Sequence, residues 1–348
     1  MSFIFIRNAA QFLFLICSTC VHAQKPNFNI LKEEYLFQEG KHFNQCHAST
    51  IAETADGKLL GSWFGGTHEG NKDVVIWGSI SDGQNWTKPT VWAEGVINDT
   101  LRYPCWNPVL FKLKNDKKIY LYYKVGPNPR EWWGMVKTSV DGGITWSSAR
   151  QLPHGILGPI KNKPIELADG TVLSPSSVEL SEDRWVAHIE ASDSDQKKWE
   201  IYPIDQKSKF NVIQPSILLH PDDKLQVLCR SKEGTVVTAW SRDNGLTWSA
   251  LEKTNLINPN SATDAIRVGS LFYIVYNPDI PGKDWWEGRT KLNLAYSRDG
   301  IDWIDLIKLE DEEKGEFSYP TIFQDSRGLV HITYTYNRKN IKHIVLEK

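Results

Sequence analysis

Short apolar runs separated by turn-forming residues recur along the chain from residue 46 to its end. In each unit a leading residue, often followed by Pro, precedes an apolar run, a turn containing Asp or Gly, and a second apolar run of about seven residues. Six segments begin such units: Cys46–Ile51, Cys105–Leu110, Asn162–Leu167, Ile213–Leu218, Asn258–Ile266 and Ser318–Phe323. No stretch shows long helical periodicity, so the pattern predicts an all-β fold.

A second motif follows these apolar runs and gives the length of the repeat. Ser139-Val-Asp-Gly-Gly-Ile-Thr-Trp146 and Ser241-Arg-Asp-Asn-Gly-Leu-Thr-Trp248 are full copies, and looser copies end at Trp86, Trp199 and Trp303. The Asp can cap backbone N–H groups and the Gly can adopt positive φ, which is typical of a hairpin turn. The tryptophans at 86, 146, 199, 248 and 303 are 60, 53, 49 and 55 residues apart. A period of this size indicates an array of repeated units.

Each unit therefore has two strands, a third strand that ends at the turn motif, and a fourth strand after it. Val74–Ser79 and Thr90–Ala93 are the third and fourth strands of the first unit. Four antiparallel strands repeated six times predict a six-bladed β-propeller. The sixth unit lacks its own Trp turn, so we expect a strand near Glu33–Phe37 to complete it. No linker divides residues 24–348, which we interpret as one domain.

The first 23 residues differ from the rest of the chain. They contain Arg7, an apolar run from Phe12 to Cys17, and Val21-His22-Ala23 as a cleavage site. This pattern predicts a secretory signal cleaved after Ala23, and therefore a secreted or periplasmic protein. No later run is long enough to span a bilayer. Cys46, Cys105 and Cys229 lie in apolar runs, so we expect buried free thiols.

Composition narrows the possible partners. The chain has 40 Lys and Arg against 42 Asp and Glu, with the basic residues scattered, which argues against nucleic acid and against a membrane surface. Its 15 Trp, 12 Tyr and 13 Phe suit both packed sheets and sugar-stacking surfaces. We find no metal-ligand spacing and no nucleotide-binding loop, so no cofactor is expected. Nothing in the sequence indicates an oligomeric state.

Propeller geometry predicts where a ligand would bind. The start of each blade's first strand and the end of its second strand lie at the same mouth of the central channel, because the two strands are antiparallel. The predicted first-strand positions are His47, Asn107, Lys163, Gln214, a residue of Asn260–Asp264 (taken as Asp264), and Tyr319. The predicted second-strand ends are Phe64, Lys124, Ser177, Arg230, Tyr276 and Thr335. These residues differ while the scaffold repeats, which favours a ligand site over a polar plug of the channel.

The charges of these positions indicate the ligand. Lys124, Lys163 and Arg230 would converge on one pocket, with His47 as a further candidate cation. Converging cations require an anion, and a bidentate Arg suits a carboxylate. We therefore expect a ligand with a carboxylate, with sulfate as the alternative.

The Ser-x-Asp-x-Gly-x-Thr-Trp turn resembles the aspartate box of the sialidase superfamily, and the resemblance covers essentially the whole chain after the signal. It implies that Tyr319, in Phe-Ser-Tyr-Pro, is the nucleophile. It also implies that Arg230, ending Gln-Val-Leu-Cys-Arg, and Arg289, in Arg-Thr-Lys-Leu-Asn-Leu, are two of three arginines that hold the substrate carboxylate.

Two departures from the family pattern bear on catalysis. His47, in Cys-His-Ala-Ser-Thr, stands where sialidases have the arginine of Phe-Arg-Ile-Pro, and Gln214 stands where they have the Glu that activates the Tyr. A Gln cannot accept the phenolic proton. The chain is closer to exported sialidase-like proteins that carry His-Ala-Ser-Thr, Trp-Phe-Gly-Gly, Cys-Trp-Asn-Pro and Lys-Asn-Lys-Pro segments.

Candidate proton donors lie on the loop Gly65–Asp73, which joins the second and third strands of the first blade. Asp73 is the positional counterpart of the family's acid and Glu69 is the alternative, with His68 beside them. Glu179 and Glu190 are candidates for the missing carboxylate, although both could simply pair with basic neighbours. Aromatic residues on the same side could stack on sugar rings: Trp106, Trp132, Trp133, Trp285 and Trp286.

Three functions follow as hypotheses. The first is an exo-acting glycoside hydrolase that removes a terminal acidic sugar, with Tyr319 as nucleophile or stabiliser and Asp73 or Glu69 as acid. The second is a polysaccharide lyase in which His47 and Tyr319 abstract and return protons at a uronate whose carboxylate is neutralised by Arg230 and Lys163. The third is a carbohydrate-binding propeller without catalysis. All three take an acidic carbohydrate as partner.

Overall fold

The computed structural model describes residues 25–114, 116–284 and 286–348, and within them it contains strands and no helix. The segment interpreted as a secretory signal and Trp285 lie outside these residues. The first thirteen strands are β1 (Asn29–Tyr35), β2 (Gln45–Glu53), β3 (Leu59–Gly66), β4 (Val75–Ser81), β5 (Thr90–Ala93), β6 (Val96–Asn98), β7 (Leu101–Arg102), β8 (Cys105–Lys112), β9 (Ile119–Val125), β10 (Trp133–Ser139), β11 (Arg150–Gln151), β12 (Ile165–Glu166) and β13 (Val172–Ser181). The other thirteen are β14 (Arg184–Ser192), β15 (Trp199–Pro203), β16 (Val212–Leu219), β17 (Leu225–Ser231), β18 (Thr235–Ser241), β19 (Glu252–Ile257), β20 (Asp264–Val268), β21 (Leu271–Tyr276), β22 (Lys291–Ser297), β23 (Trp303–Asp311), β24 (Phe317–Gln324), β25 (Val330–Tyr336) and β26 (Asn340–Glu347).

Twenty-four of these strands form six four-stranded sheets, each antiparallel and each in simple order. Blades one to five are β2-β3-β4-β5, β8-β9-β10-β11, β12-β13-β14-β15, β16-β17-β18-β19 and β20-β21-β22-β23. Blade six has the order β24-β25-β26-β1, and β6 pairs with β7 in a separate hairpin. The prediction of a six-bladed β-propeller of four-stranded antiparallel blades is confirmed. The predicted closing strand is confirmed as β1, which starts and ends slightly earlier than the sequence suggested.

Burial explains why the first and second strands of each blade are nearly continuous apolar runs. All residues of β3, β9 and β17 are buried, because adjacent blades cover both faces of these strands. The outer strands β1 and β19 are mostly exposed on alternate residues, as expected at a propeller's edge. Cys46, Cys105 and Cys229 are buried free thiols, as predicted. No helix in the described part of the chain is suited to crossing a membrane.

Bulges interrupt the first strand of four blades near its start, where the mouth of the channel lies. The register shifts between His47 and Thr50, Trp106 and Val109, Ile213 and Ser216, and Ser318 and Thr321. At each bulge one non-glycine residue has positive φ: Ala48 at 57°, Asn107 at 33°, Gln214 at 53° and Tyr319 at 54°. Such conformations are strained and persist only where the surroundings impose them, often at functional sites.

The Asp-containing turns are hairpin clamps, as the sequence indicated. Asp141 accepts hydrogen bonds from the backbone N–H of Thr145, at 2.9 Å, and from the Ser139 hydroxyl, at 2.7 Å. Asp243 and Ser241 repeat the arrangement in blade four. Because the third strand of each blade runs away from the mouth, these turns lie at the opposite end of the blades from the bulges.

Candidate active site

A cavity of about 720 Å³ opens at the mouth where the four bulges lie. Its walls carry three basic residues, Arg230, Lys232 and Arg338, and three acidic ones, Glu69, Glu179 and Glu316. Four aromatic residues also line it, Tyr319, Trp106, Trp185 and Trp286, together with Gln45, His68, Pro129 and Asn260. The cavity therefore has equal numbers of Lys or Arg and of Glu side chains, whereas the sequence predicted an excess of basic residues.

Tyr319 lies at the bulge of β24 and is half-buried. Its phenolic oxygen accepts a hydrogen bond from Arg230 Nη1, at 2.9 Å, and a longer one from Gln214 Nε2, at 3.4 Å. Arg230 Nη1 also donates to Gln214 Oε1, at 3.3 Å, which turns the amide nitrogen of Gln214 toward Tyr319. Both neighbours thus direct hydrogen-bond donors at the phenolic oxygen.

Arg230, near the end of β17, is buried at 7% exposure and held in a fixed orientation. Its Nε donates to Asn260 Oδ1, at 2.9 Å, and its guanidinium lies 5.5 Å from the centre of the Trp185 ring. No described carboxylate forms an ion pair with it. A buried guanidinium whose partners are neutral is suited to an anionic ligand.

Glu316 connects two further arginines on the same side of the site. Its Oε1 lies 3.1 Å from Arg289 Nη1, and its Oε2 lies 2.7 Å from Arg338 Nε. Burial favours the neutral carboxyl, but Arg338 and Arg289 outweigh it and lower the pKa of Glu316. Arg338 Nη1 also pairs with Glu69 Oε2, at 2.5 Å, so Glu69 and Glu316 neutralise the arginines beside them.

Arg338 was missed by the sequence analysis. It follows Asn337, both with left-handed φ near 54°, in the short turn between β25 and β26. The position of this turn could have predicted Arg338 as a site residue, because the second strand of every blade ends at the mouth of the channel. The carbonyl of Arg338 accepts from Cys46 N, at 2.9 Å, which ties blade six to the residue before His47.

His47 does not add a cation to the site. Ala48, not His47, has the left-handed conformation in blade one, so His47 is one residue earlier in register than Asn107, Gln214 and Tyr319. Its ring is 1% exposed and lies 4.0 Å, centre to centre, from the Tyr319 ring. Burial and the nearby Arg338, Arg289, Arg230 and Lys161 hold the pKa of His47 well below its ordinary value, so the ring is neutral.

Lys124, Lys163 and Asp264 lie away from the cavity, which corrects their predicted placement. The Lys124 ammonium is fully buried and donates to Pro159 O, at 2.6 Å; burial lowers its pKa to about 7. Lys163 Nζ pairs with Asp264, at 2.7 Å. Asp264 also accepts from Ser216 Oγ and Ile322 N, both at 3.0 Å, so this pair plugs the channel between blades. The pairing of β12 with β13 in blade three shows no such bulge.

Lys161 was also missed and lies directly behind Tyr319. It is fully buried, and its ammonium donates to the carbonyl oxygens of Pro320 and Thr263. Burial lowers its pKa to about 7. The sequence offered no signal beyond its position two residues before Lys163.

Of the carboxylates predicted as catalytic groups, some line the cavity and others have structural roles. Asp73 Oδ2 accepts from Thr67 N, at 2.9 Å, and Thr67 Oγ1, at 2.7 Å, so it caps its own loop and does not line the cavity. Glu69 lines the cavity in its ion pair with Arg338. Glu190 is fully buried and accepts from Leu157 N and Ser176 Oγ, a structural role.

Glu179 lines the cavity on the wall formed by β13 and β14. Its carboxylate makes no hydrogen bond or ion pair with a described residue. Burial raises the pKa of Glu179, although Arg230, Lys232 and Arg130 oppose the shift.

The aromatic predictions are met in part. Trp106 and Trp286 line the cavity, while Trp132 packs on Trp106 with ring centres 5.9 Å apart and Trp133 packs on Tyr103 at 5.7 Å. Trp185, absent from the predicted set, lines the cavity with Lys232 4.3 Å above its ring. Asn107 is buried and does not reach the lining. In the described ranges no three His, Cys, Asp or Glu side chains are grouped in a way suited to a metal ion.

Comparison with known proteins agrees with this architecture. The family described as BNR repeat-like domain matches residues 57–332. A Dyadobacter fermentans protein of unknown function superposes with a TM-score of 0.74 at 16% identity, over 93% of this chain and 100% of the other. The Hadza microbial sialidase Hz136 superposes with a TM-score of 0.75 at 18% identity, over 90% and 68% of the two chains. Trypanosoma rangeli sialidase superposes with a TM-score of 0.73 at 14% identity, over 92% and 60%.

No curated protein matches the chain in sequence. The repeat family and the superposition on sialidases, together with the six blades and their Asp-containing turns, lead to one conclusion. The chain belongs to the BNR repeat-like domain family and has the fold of the sialidases.

Proposed function

We propose that the protein is a glycoside hydrolase that removes a terminal acidic sugar, a sialic acid or a uronic acid, from a glycan or polysaccharide. The observation that supports it most is Arg230, a buried cation without a described carboxylate partner, whose Nη1 lies 2.9 Å from the phenolic oxygen of Tyr319. One ligand can therefore place a carboxylate on Arg230 and its anomeric carbon beside Tyr319.

Arg230 recognises the sugar's carboxylate in this proposal. Asn260 and Gln214 already hold its guanidinium, so little conformational entropy is lost when a ligand binds. Trp185 and Trp106 provide apolar faces on the same cavity, which suits the C–H faces of a sugar ring.

Tyr319 acts on the anomeric carbon. In this proposal its oxygen faces the anomeric carbon, on which positive charge develops in an oxocarbenium-like transition state. Gln214 cannot take the phenolic proton, so Tyr319 keeps it and stabilises the positive charge on the reacting carbon through its oxygen. We also propose that the enzyme works outside the cytoplasm, since residues 1–23 resemble a secretory signal.

One observation favours a lyase as a second candidate. Neutral His47 lies against Tyr319, and its Nδ1 has no hydrogen-bond partner. Such a ring can take the proton from the carbon next to a uronate carboxylate. The electron pair then forms a carbon–carbon double bond, and the leaving oxygen departs with the bonding pair and gains a proton, without water.

Product analysis separates the candidates. The purified protein is incubated with sialosides and with oligosaccharides ending in a uronic acid, and products are followed by mass spectrometry and ultraviolet absorbance. Hydrolysis releases a free acidic sugar with the mass of added water and no new absorbance. An absorbing unsaturated uronate would replace the hydrolase with the lyase, and binding without turnover would reduce the protein to a carbohydrate-binding propeller.

Tyr319→Phe tests the site itself. Removing the hydroxyl should lower kcat by at least about 100-fold, the usual size for loss of a group acting on the reacting atoms. Binding of the acidic sugar should persist, because Arg230 remains. Tyr336→Phe, a half-buried tyrosine of the same blade outside the cavity, is the matched control. Full activity in the Tyr319 variant would show that this site is wrong.

A further inference from the structure

The hairpin of blade three stands above the mouth of the channel and forms one wall of the cavity. Its second strand, β13, has 10 residues, whereas the second strands β9, β17 and β25 have 7 each. Pairing with β14 continues to Ser181 opposite Arg184, and the register shifts immediately after Glu179. A bulge at this point redirects neighbouring side chains, and Glu179 and Trp185, which are paired across the hairpin, both reach the cavity.

The strand that carries Glu179 is connected to Tyr319 through Ser177 and Gln214. Ser177 Oγ accepts a hydrogen bond from Gln214 N, at 3.2 Å, and the amide of Gln214 reaches Tyr319. Ser177 and Glu179 are two residues apart on β13, so their side chains lie on the same face, with Glu179 roughly 7 Å further toward the rim. Glu179 and Tyr319 line the same cavity, with Glu179 nearer its rim.

The other cavity carboxylates are unsuited to donate a proton. Glu316 pairs with Arg289 and Arg338, which lower its pKa, and Glu69 is already engaged in an ion pair with Arg338. Asp73 is outside the lining and holds Thr67. Glu179 is the cavity carboxylate, among the described residues, that has no ion pair.

We propose that Glu179 is the catalytic acid of this site, an inference that rests on the proposed hydrolysis. Its carboxyl gives its proton to the glycosidic oxygen as the bond to the anomeric carbon breaks, and the leaving glycan departs as an alcohol with the bonding electron pair. Water then adds its oxygen to the anomeric carbon, and one of its protons returns to Glu179. Burial raises the pKa of Glu179, which keeps the acid form present at higher pH than for an exposed Glu.

The hairpin is held firmly enough to position this group. Lys232, from blade four, donates to the carbonyl oxygen of Glu182 at the hairpin tip and lies 4.3 Å above the Trp185 ring. Arg184 donates to Ser208 O, at 2.8 Å. The wall that carries Glu179 is therefore fixed to blade four rather than free at its tip.

The test compares leaving groups that need protonation with one that does not. Glu179→Gln should lower kcat/KM on an acidic alkyl glycoside or disaccharide by about 100-fold or more, but on the para-nitrophenyl glycoside by less than about 10-fold. The fall of kcat/KM at high pH, which reports loss of the acid form, should disappear in the variant. Glu182→Gln, an exposed residue of the same hairpin, is the matched control for folding.

Each other outcome has a definite meaning. A wild-type protein that cleaves neither substrate overturns the proposed function and this inference with it. An equal loss on both substrates, or an unchanged pH profile, shows that Glu179 is structural and leaves the hydrolase standing. A loss that depends on the leaving group in Asp73→Asn or Glu69→Gln, instead of Glu179→Gln, moves the acid to that residue.

Discussion

Gln214 determines the proton chemistry around Tyr319, because its amide donates to the phenolic oxygen and cannot accept the phenolic proton. Its orientation is set by Arg230, which donates to Gln214 Oε1. The phenolic oxygen of Tyr319 therefore accepts hydrogen bonds from Arg230 and Gln214, and neither of these two residues can act as a base toward it. Replacing the amide group of Gln214 by a carboxylate would place a base beside Tyr319 without changing the size of the side chain.

Gln214→Glu should therefore raise kcat by about tenfold or more, since a carboxylate beside Tyr319 can accept its proton. The activity of the variant should also fall as the pH is lowered, because the new carboxyl group at position 214 must be ionised to accept the proton. Steady-state kinetics on an acidic glycoside across pH measures both effects. Gln38→Glu, an exposed position, controls for added charge. A lower kcat with an unchanged pH profile would contradict this reading of Gln214.

Arg338 shows a limit of residue-level reasoning from sequence. The resemblance directs attention to position 47 for an arginine, and that position holds a buried neutral histidine. The cation beside it comes from blade six, through the turn that binds Cys46 N. Only the closure of the ring brings residues 46 and 338 together, so spacing along the chain carried no information about this neighbour.

At the scale of elements, the bulges set the backbone conformation at the start of the first strand in four blades. Pro follows Asn107, Gln214 and Tyr319, and a residue before Pro normally favours the extended region. The left-handed conformations found there are imposed by packing between blades. Of the predicted leading positions Tyr319 lines the cavity, whereas Lys163 and Asp264 pair with each other away from it.

The Asp-containing turn is a stabilising element separate from the site. Ser139 is 2% exposed, and its hydroxyl accepts from Gly143 N, at 2.8 Å, while donating to Asp141. Ser139→Ala leaves the Gly143 N–H without its partner and should reduce the free energy of unfolding by about 1 kcal/mol. Chemical denaturation measures the change. Activity should be unaltered, because the turn lies at the far end of the blade.

Ser148→Ala, an exposed hydroxyl a few residues beyond the same turn, is the control and should have little effect. Equal stability of both variants would remove the clamp role from Ser139. A fall in turnover at temperatures where the Ser139 variant is fully folded would instead connect the turn to the site.

At the scale of the whole molecule, the ring is closed by β1, which joins the start of the described chain to its last strand. Glu34 on β1 accepts from Trp86 Nε1 of blade one and contacts His343 Nδ1 of β26, both at 3.0 Å. Burial favours the neutral carboxyl, but His343, Lys32 and Trp86 together lower the pKa of Glu34 to about 2. The carboxylate thus links blade six to blade one.

Glu34→Gln should lower the free energy of unfolding at pH 7 by about 1–2 kcal/mol. The folded pKa lies below the ordinary 4.5, so the contribution of Glu34 is complete above pH 4.5 and is lost as the pH falls toward 2. The difference between variant and wild type should shrink over that range, as measured by denaturation at several pH values.

Glu33→Gln is the matched control on the same strand. Glu33 is 46% exposed and pairs with Lys342 at the surface, where ion pairs contribute little. A constant difference between the Glu34 variant and wild type from pH 7 to pH 2 would mean that its ionised form does not close the ring.

Repetition is what the sequence by itself determined. The sequence repeats two local patterns, a pair of apolar strands and a turn containing Ser, Asp and Trp. These patterns were enough to predict the number of blades, the order of their strands and the mouth at which the cavity opens. They were enough because the fold of each blade depends mainly on its own residues and those of its neighbours. The site depends on contacts between blades far apart in sequence. Tyr319 meets Arg230, and Arg338 meets Glu69, only in the folded ring, so the tertiary structure alone decided which charges are paired and which remain for a ligand.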